Sequence, residues 1–203
     1  MSEVVTGAGG RVLSAKGVET RQRLLDAAEG VFGERGYSEA SIVKITEAAG
    51  VAQGTFYLYF SSKKEIFDEL VRDLNRRIRH AMTESAAKGE TRVEQEILGF
   101  RGYFEFAAEH PGLYRIIRQS AFVSPDVFKW HYDRVSERYV AALREAVDRQ
   151  ELGPIDPEVA AWALMAVGET IGLRWIVWGE GEVPSHVVAE LGRIIRAVLE
   201  PAP

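Results

Sequence analysis

The chain has 203 residues, 46% of them apolar, which is enough for one large domain or two small ones around a sizeable core. It contains no cysteine, which excludes disulfides and thiolate chemistry, and residues 1–10 lack the charged-then-apolar build of a secretory signal. The most apolar run, residues 159–178, is broken by Glu169 and Arg174 and falls short of the ~18 uninterrupted apolar residues a membrane span needs. A folded cytoplasmic protein with no membrane association is expected.

The formal net charge of −5 is spread unevenly. Residues 11–64 carry eight Lys and Arg against six Asp and Glu, a balance of +2, while residues 65–203 carry seventeen against twenty-three, a balance of −6. Such a chain can dock one end on phosphates and keep the other soluble.

In chain order, residues 1–10, with three glycines and one charge, read as a flexible arm, and Arg11 and Lys16 beyond it are placed to graze nucleic acid. A helix over residues 18–35 sets Leu24, Leu25, Ala28, Val31 and Phe32 on one face, and Gly36 stops it as a C-terminal cap. Ser41 is placed to cap a second helix whose Ile42, Ile45 and Ala49 form the buried side. Gly50 then supplies a left-handed turn, Val51 points inward, and a short helix over residues 52–60 completes a helix-turn-helix.

The first turn of that last helix holds Gln53, Gly54 and Thr55. In a recognition helix this turn meets base edges: Gln53 can bond adenine in bidentate fashion, Gly54 lets the backbone approach, and Thr55 offers a hydroxyl and a methyl. Tyr57 and Tyr59 carry phenol hydroxyls suited to phosphate oxygens; Ser41 and Lys63 are assigned to phosphates with them, and Lys44 as an adjunct.

The run Gly50-Val51-Ala52-Gln53-Gly54-Thr55-Phe56-Tyr57-Leu58-Tyr59-Phe60 followed by Lys63 resembles the hallmark of the TetR family of transcriptional regulators. The resemblance extends upstream through residues 21–37, Arg-Gln-Arg-Leu-Leu-Asp-Ala-Ala-Glu-Gly-Val-Phe-Gly-Glu-Arg-Gly-Tyr, as that family's first helix, and covers about the first third of the chain. Two positions depart from it: Thr46 stands where alanine is usual, and Ala52 where serine often caps the recognition helix, a cap worth about 1 kcal/mol.

Beyond the motif the pattern is helical throughout. Residues 63–87 form a connecting helix whose Arg72, Arg76, Arg77 and Arg79 read as a solvated polar face. Helices follow over residues 91–109, 111–119, 125–151, 157–178 and 184–200, with no convincing strand. The fold class is therefore all-α: residues 1–64 as an arm and three-helix helix-turn-helix DNA-binding domain, residues 65–203 as a helical bundle for effector binding and dimerisation.

The segment 157–178, apolar nearly all round, must be buried on every side, and a second subunit is its simplest cover. The resemblance implies the same: family members dimerise through their last two long helices and present two recognition helices to a palindromic operator in double-stranded DNA. Thirteen of the twenty aromatic residues, including all four tryptophans, fall between Phe100 and Trp178, as in the lining of a small-molecule pocket or simply of a core. The family's C-terminal domain binds an apolar or amphipathic effector, and the segment 109–118 resembles the sixth-helix region of members that respond to fatty acyl-coenzyme A or related thioesters. On that reading Tyr103, Phe104, Phe122 and Trp175 surround an acyl chain while Arg115 or Arg118 holds its phosphate or carboxylate.

An enzyme finds little support: the four histidines have no metal-ligand spacing, and nucleophile-elbow and phosphate-loop patterns are absent, so no catalytic residue, metal or cofactor is assigned. The expected function is a homodimeric repressor released from its operator by a small effector. The alternative is a helix-turn-helix protein without an effector, acting through protein partners or in chromosome organisation.

Overall fold

The computed structural model describes residues 5–200. Among them lie nine α-helices and no strand: α1 (Ala15–Glu39), α2 (Ile42–Ala49), α3 (Gln53–Phe56), α4 (Lys63–Ala86), α5 (Arg92–Glu109), α6 (Leu113–Val123), α7 (Pro125–Asp148), α8 (Pro157–Gly172) and α9 (Ser185–Leu199). The chain divides into two compact units, one of residues up to 74 with 115–129, the other of residues 75–114 with 130 onward.

In the first unit, α1 starts earlier than its apolar pattern implies because the Ser14 side chain accepts from the Gly17 amide at 3.3 Å, capping the helix there. Leu24, Leu25, Ala28 and Phe32 are buried against a core that also holds Ile45, Phe56, Phe60, Ile66, Phe67 and Leu70. Its densest part is aromatic, with the Phe67 ring edge-on to both Phe32 (5.1 Å) and Tyr37 (5.0 Å). Gly36 breaks α1 as expected, at φ 75°, and one further turn runs to Glu39.

The glycine-rich arm is not slack where it is described. Thr6 bridges Val12, the Gly7 amide donates to the Arg11 carbonyl at 2.9 Å, and the Leu13 amide to Val5 at 3.0 Å. Gly9 and Gly10, at φ 70° and 77°, make the tip of this small hairpin, so the glycines serve a turn. Residues 1–4 of the expected arm lie outside the described residues.

In the second unit, α5 begins with a capping box, Thr91 and Glu94 exchanging bonds with each other's backbone, and packs on α8 and α9. Phe100, Phe104, Leu164, Leu191 and Ile195 are buried. The connecting-helix arginines are only partly the solvated face expected of them: Arg77 donates to the His110 ring and lies 5.5 Å from the Phe106 centroid, and Arg79 Nε donates to Asn75 Oδ1 at 2.9 Å. Helix α8 runs on into a π-turn, Leu173–Val177, and Gly172 faces the Tyr114 hydroxyl so closely that a Cβ would overlap it. By length and composition Pro157–Val177 is apolar enough to cross a membrane. It is not buried all round: Ala161, Leu164 and Leu173 face the core, while Val159, Trp162, Val177 and Trp178 are exposed.

Asn75 donates from Nδ2 to the His131 carbonyl at 3.0 Å and lies 3.1 Å from His131 Nδ1 in the interior. Burial, aided by the Arg79 charge, pushes the His131 imidazole down to about 4 from 6.5. The unfolded chain takes up this proton as pH falls through 6.5, whereas the folded chain holds out until about 4, so stability is lost on acidification across that window. Urea unfolding at pH 7.5 and 4.5 is expected to show a loss attributable to this residue on the order of 3 kcal/mol, absent in His131→Gln.

Candidate nucleic-acid interface

Helix α2 is defined at both ends by local chemistry. Ser41 Oγ accepts from the Lys44 amide at 3.3 Å, and Gly50 closes the far end at φ 63° and ψ 40°, a conformation that a Cβ would strain. The Arg23 guanidinium, from α1, donates to the Ala49 carbonyl at 2.5 Å and so holds the turn to the first helix. Thr46 is buried, and its hydroxyl donates to the Val43 carbonyl at 2.9 Å, which satisfies the polar group standing where the resemblance expects alanine.

The recognition helix is shorter than the nine residues expected. Regular α-helix covers Gln53–Phe56, followed by a turn whose Leu58 and Tyr59 amides bond three residues back, to Thr55 and Phe56. Ala52 supplies no side-chain cap, as its sequence implies, and Gly54 adds backbone freedom, so neither end favours propagation. What fixes the segment is burial of Phe56 and Phe60 underneath it.

That burial decides what faces out. Gln53 and Gly54 are exposed, and a Cβ at Gly54 would meet no other atom of the protein within 4 Å. Thr55 is half-buried, Tyr57 is 48% exposed, and Leu58, which the sequence reading passed over, is 49% exposed beside it. Tyr59 is turned into the core. The Ala8 amide of the N-terminal hairpin donates to the Leu58 carbonyl at 3.2 Å, so the arm braces the end of the recognition turn.

Lys44 and Lys63 both engage backbone carbonyls. Lys44 Nζ donates to Glu39 at 3.0 Å; Lys63 Nζ donates to Tyr37 and Ala40 at 2.9 Å each and stands 4.5 Å over the Tyr37 ring. Burial, with Asp68 nearby, raises the Tyr37 hydroxyl above its ordinary value, so the ring under the ammonium is neutral. Arg115 Nη1 donates to the Gly33 and Glu34 carbonyls at 3.1 and 2.6 Å, and Gln119 Oε1 accepts from the Tyr37 amide at 2.8 Å. The end of α1 is thus held by side chains from α4 and α6.

The six residues assigned to an effector are divided between the two units. Tyr103 and Phe104 lie side by side in the second unit, the Tyr103 hydroxyl 2.8 Å from that of Tyr114, and Trp175 lies in the π-turn of the same unit. Burial, with the Tyr114 hydroxyl against it, raises the Tyr103 phenol well above its ordinary value, so it remains a proton donor. Arg115, Arg118 and Phe122 belong to the first unit, where Arg115 is engaged with α1 and Phe122 is 90% exposed. The Tyr132 hydroxyl donates to Glu169 at 3.0 Å; Arg174 is exposed, 5.4 Å from the Trp175 ring.

A capped helix, a left-handed glycine turn and a short outward-facing helix define a DNA-binding helix-turn-helix protein. Residues 24–70 match the model of the bacterial regulatory proteins of the tetR family. The chain is 30% identical over 192 residues to the uncharacterized HTH-type transcriptional regulator YdgC of Bacillus subtilis, covering 90% of this chain and 94% of that one. It is 27% identical over 190 residues to the HTH-type transcriptional repressor BepR of Brucella suis, covering 90% and 81%. Its fold is similar to that of the transcriptional regulator FadR from Bacillus subtilis in complex with stearoyl-CoA, with a TM-score of 0.70 at 23% identity over 86% of this chain and 94% of that one. The protein belongs to the TetR family: it is a transcriptional regulator and not an enzyme.

Replacing Lys63 with Met would leave the Tyr37 and Ala40 carbonyls without their donor. A loss of about 1–3 kcal/mol is expected from the unsatisfied acceptors, read as a lower melting temperature by circular dichroism before any DNA is added.

Proposed function

We propose that this regulator is a cytoplasmic homodimeric repressor that reads a palindromic operator in double-stranded DNA and is released from it by a small apolar or amphipathic effector. The observation that carries the reading is the outward presentation of Gln53, Gly54 and Tyr57 on a turn locked from below by Phe56 and Phe60. Gln53, Gly54 and Thr55 are assigned to base edges, and Ser41, Lys44, Tyr57 and Lys63 to the phosphate backbone; Tyr59, expected among them from the sequence, is instead turned into the core. Of the phosphate group Tyr57 reaches furthest out, while Lys63 contributes its charge from a fixed position.

Two-fold symmetry is supported by the apolar surface that α8 and α9 leave exposed: Val159, Trp162, Val177 and Trp178 on one segment, Ile194 and Val198 on the other. Side chains of this kind call for cover, and a second copy of the chain would supply it while doubling the number of bases read. Repression is the mode named for the relative from Brucella suis, and the stearoyl-CoA in the structure from Bacillus subtilis makes a fatty acyl thioester the first effector to try. Tyr103, Phe104 and Trp175, all of the second unit, are its proposed apolar contacts.

In mobility-shift titrations against operators selected from random duplexes, Gln53→Ala is expected to relax preference at one base position by about 1–3 kcal/mol per site. Tyr57→Ala should instead weaken binding to all duplexes alike, and a duplex with a single half-site should bind far less tightly than the palindrome. If Gln53→Ala leaves the selected sequence unchanged, Gln53 does not read bases. Stearoyl-CoA added to the preformed complex should free the duplex; a complex that persists at saturating thioester removes this effector class.

A further inference from the structure

Leucine is an interior residue throughout this chain, with one exception. Among the described residues every other leucine is buried or half-buried, whereas Leu58 is 49% exposed. A single apolar side chain in solvent is common on protein surfaces. What sets Leu58 apart is its place, on the turn that completes the recognition helix and beside the outward-facing Tyr57.

Its backbone is held on both sides. The Leu58 amide donates to the Thr55 carbonyl at 3.1 Å, and the Leu58 carbonyl accepts from the Ala8 amide at 3.2 Å. Gly7 lies so close to that carbonyl that a Cβ there would come within 2.7 Å of its oxygen. The same Cβ would meet Leu13 Cδ2 at 3.0 Å, and one at Gly17 of α1 would meet Leu13 Cβ at 3.3 Å. The hairpin is therefore fitted between α1 and the Leu58 carbonyl, and the missing side chain of Gly7 permits the fit. These residues precede the stretch 24–70 that matches the family model, so the clamp on Leu58 is an addition to the matched motif.

Helical spacing sets Leu58 over Gly54, four residues back, and the tighter spacing of the turn, in which its amide reaches Thr55, sets it over Thr55. Both are assigned to base edges, and Leu58 shares their face. Major-groove edges present donors, acceptors and one apolar group, the thymine C5-methyl. A leucine side chain cannot pair with a donor or an acceptor, and a polar edge beneath it would lose water without gaining a bond. The methyl is the group it fits.

We propose that Leu58 is a specificity-determining residue: its side chain covers the C5-methyl of one thymine in each half-site, from a position set by the hairpin through Gly7 and Ala8. The inference rests on the DNA-binding reading above and names a base that reading leaves open. Thymine is selected twice over, by burial of its methyl and by the cost of placing the polar edge of another base under an apolar side chain.

Deoxyuridine, which is thymidine without the methyl, separates this contact from every polar one. In mobility-shift titrations of the full chain with an operator selected from random duplexes, thymines are replaced by deoxyuridine one position at a time. Binding is expected to weaken at one thymine per half-site, by roughly fourfold for the lost burial of a methyl. Leu58→Ala should bind the thymine operator more weakly and show no penalty at that position, whereas Leu58→Met, still apolar, should keep the penalty. Because Leu58 is exposed, Leu58→Ala should melt as the unsubstituted chain does, which separates reading from folding. Gly7→Val, which forces the hairpin off the Leu58 carbonyl, should lower the penalty. A flat deoxyuridine scan would overturn the proposal, and so would an equal penalty in Leu58→Ala, which would put the methyl under another side chain such as Thr55. A full penalty in Gly7→Val would remove the hairpin from it. An unsubstituted chain that selects no duplex would sink the DNA-binding reading and this one with it; a flat scan in which Gln53→Ala still relaxes base preference would sink the role of Leu58 alone.

Discussion

The end of α1 is the constraint on which the DNA-binding unit depends. A helix leaves its last carbonyls without partners, and in α1 the break at Gly36 multiplies them. Lys63 takes those of Tyr37 and Ala40, and Arg115 those of Gly33 and Glu34, so cations from two later helices converge on the negative end of the first. Arg23 does the same for α2 by bonding Ala49. Each contact is a side chain on a main-chain acceptor, and each ties together elements that their own hydrogen bonds could not.

This arrangement explains how a recognition helix of one turn stays in place. Four residues are far below the length at which a helix is stable on its own, and here there is neither an N-terminal cap nor a favourable residue at Gly54. Stability comes from Phe56 and Phe60 entering the core, from Arg21 standing 5.2 Å over the Phe60 ring while paired with Glu69 at 2.6 Å, and from the hairpin amide on Leu58. A segment held from below and from one end presents its outer residues with little freedom, which is what reading base edges requires. The weak local propensity is thus no defect; the tertiary contacts, not the helix, set the position of Gln53.

Much of this unit is legible in the amino-acid sequence because its signals are local. Ser41 followed by an apolar repeat and closed by Gly50 specifies α2 from ten neighbouring residues, and Leu24 to Phe32 specify the inner face of α1. The hairpin is not legible, since its three glycines suit a turn as well as a loose arm, and the contact that decides between them lies some fifty residues away at Leu58. The bonds of Lys63 and Arg115 to the end of α1 are illegible for a related reason: a backbone carbonyl leaves no trace in a sequence. Aromatic content is likewise silent on direction, so Phe104 in the core and Phe122 in solvent look alike beforehand.

The second unit shows what charges within an apolar helix can mean. Glu169 and Arg174 lie five residues apart on the most apolar segment of the chain, and they have different fates. Glu169 accepts from Tyr132 and contributes to a polar group inside the unit, near the paired hydroxyls of Tyr103 and Tyr114. Arg174 is exposed in the π-turn with Val177 and Trp178. Val159 and Trp162 are exposed before the π-turn and Val177 and Trp178 at its end, while Leu164, Leu173 and Ile176 pack inward. The segment thus keeps one apolar face in the core and a second in solvent along its whole length, the surface that the proposed second copy would cover.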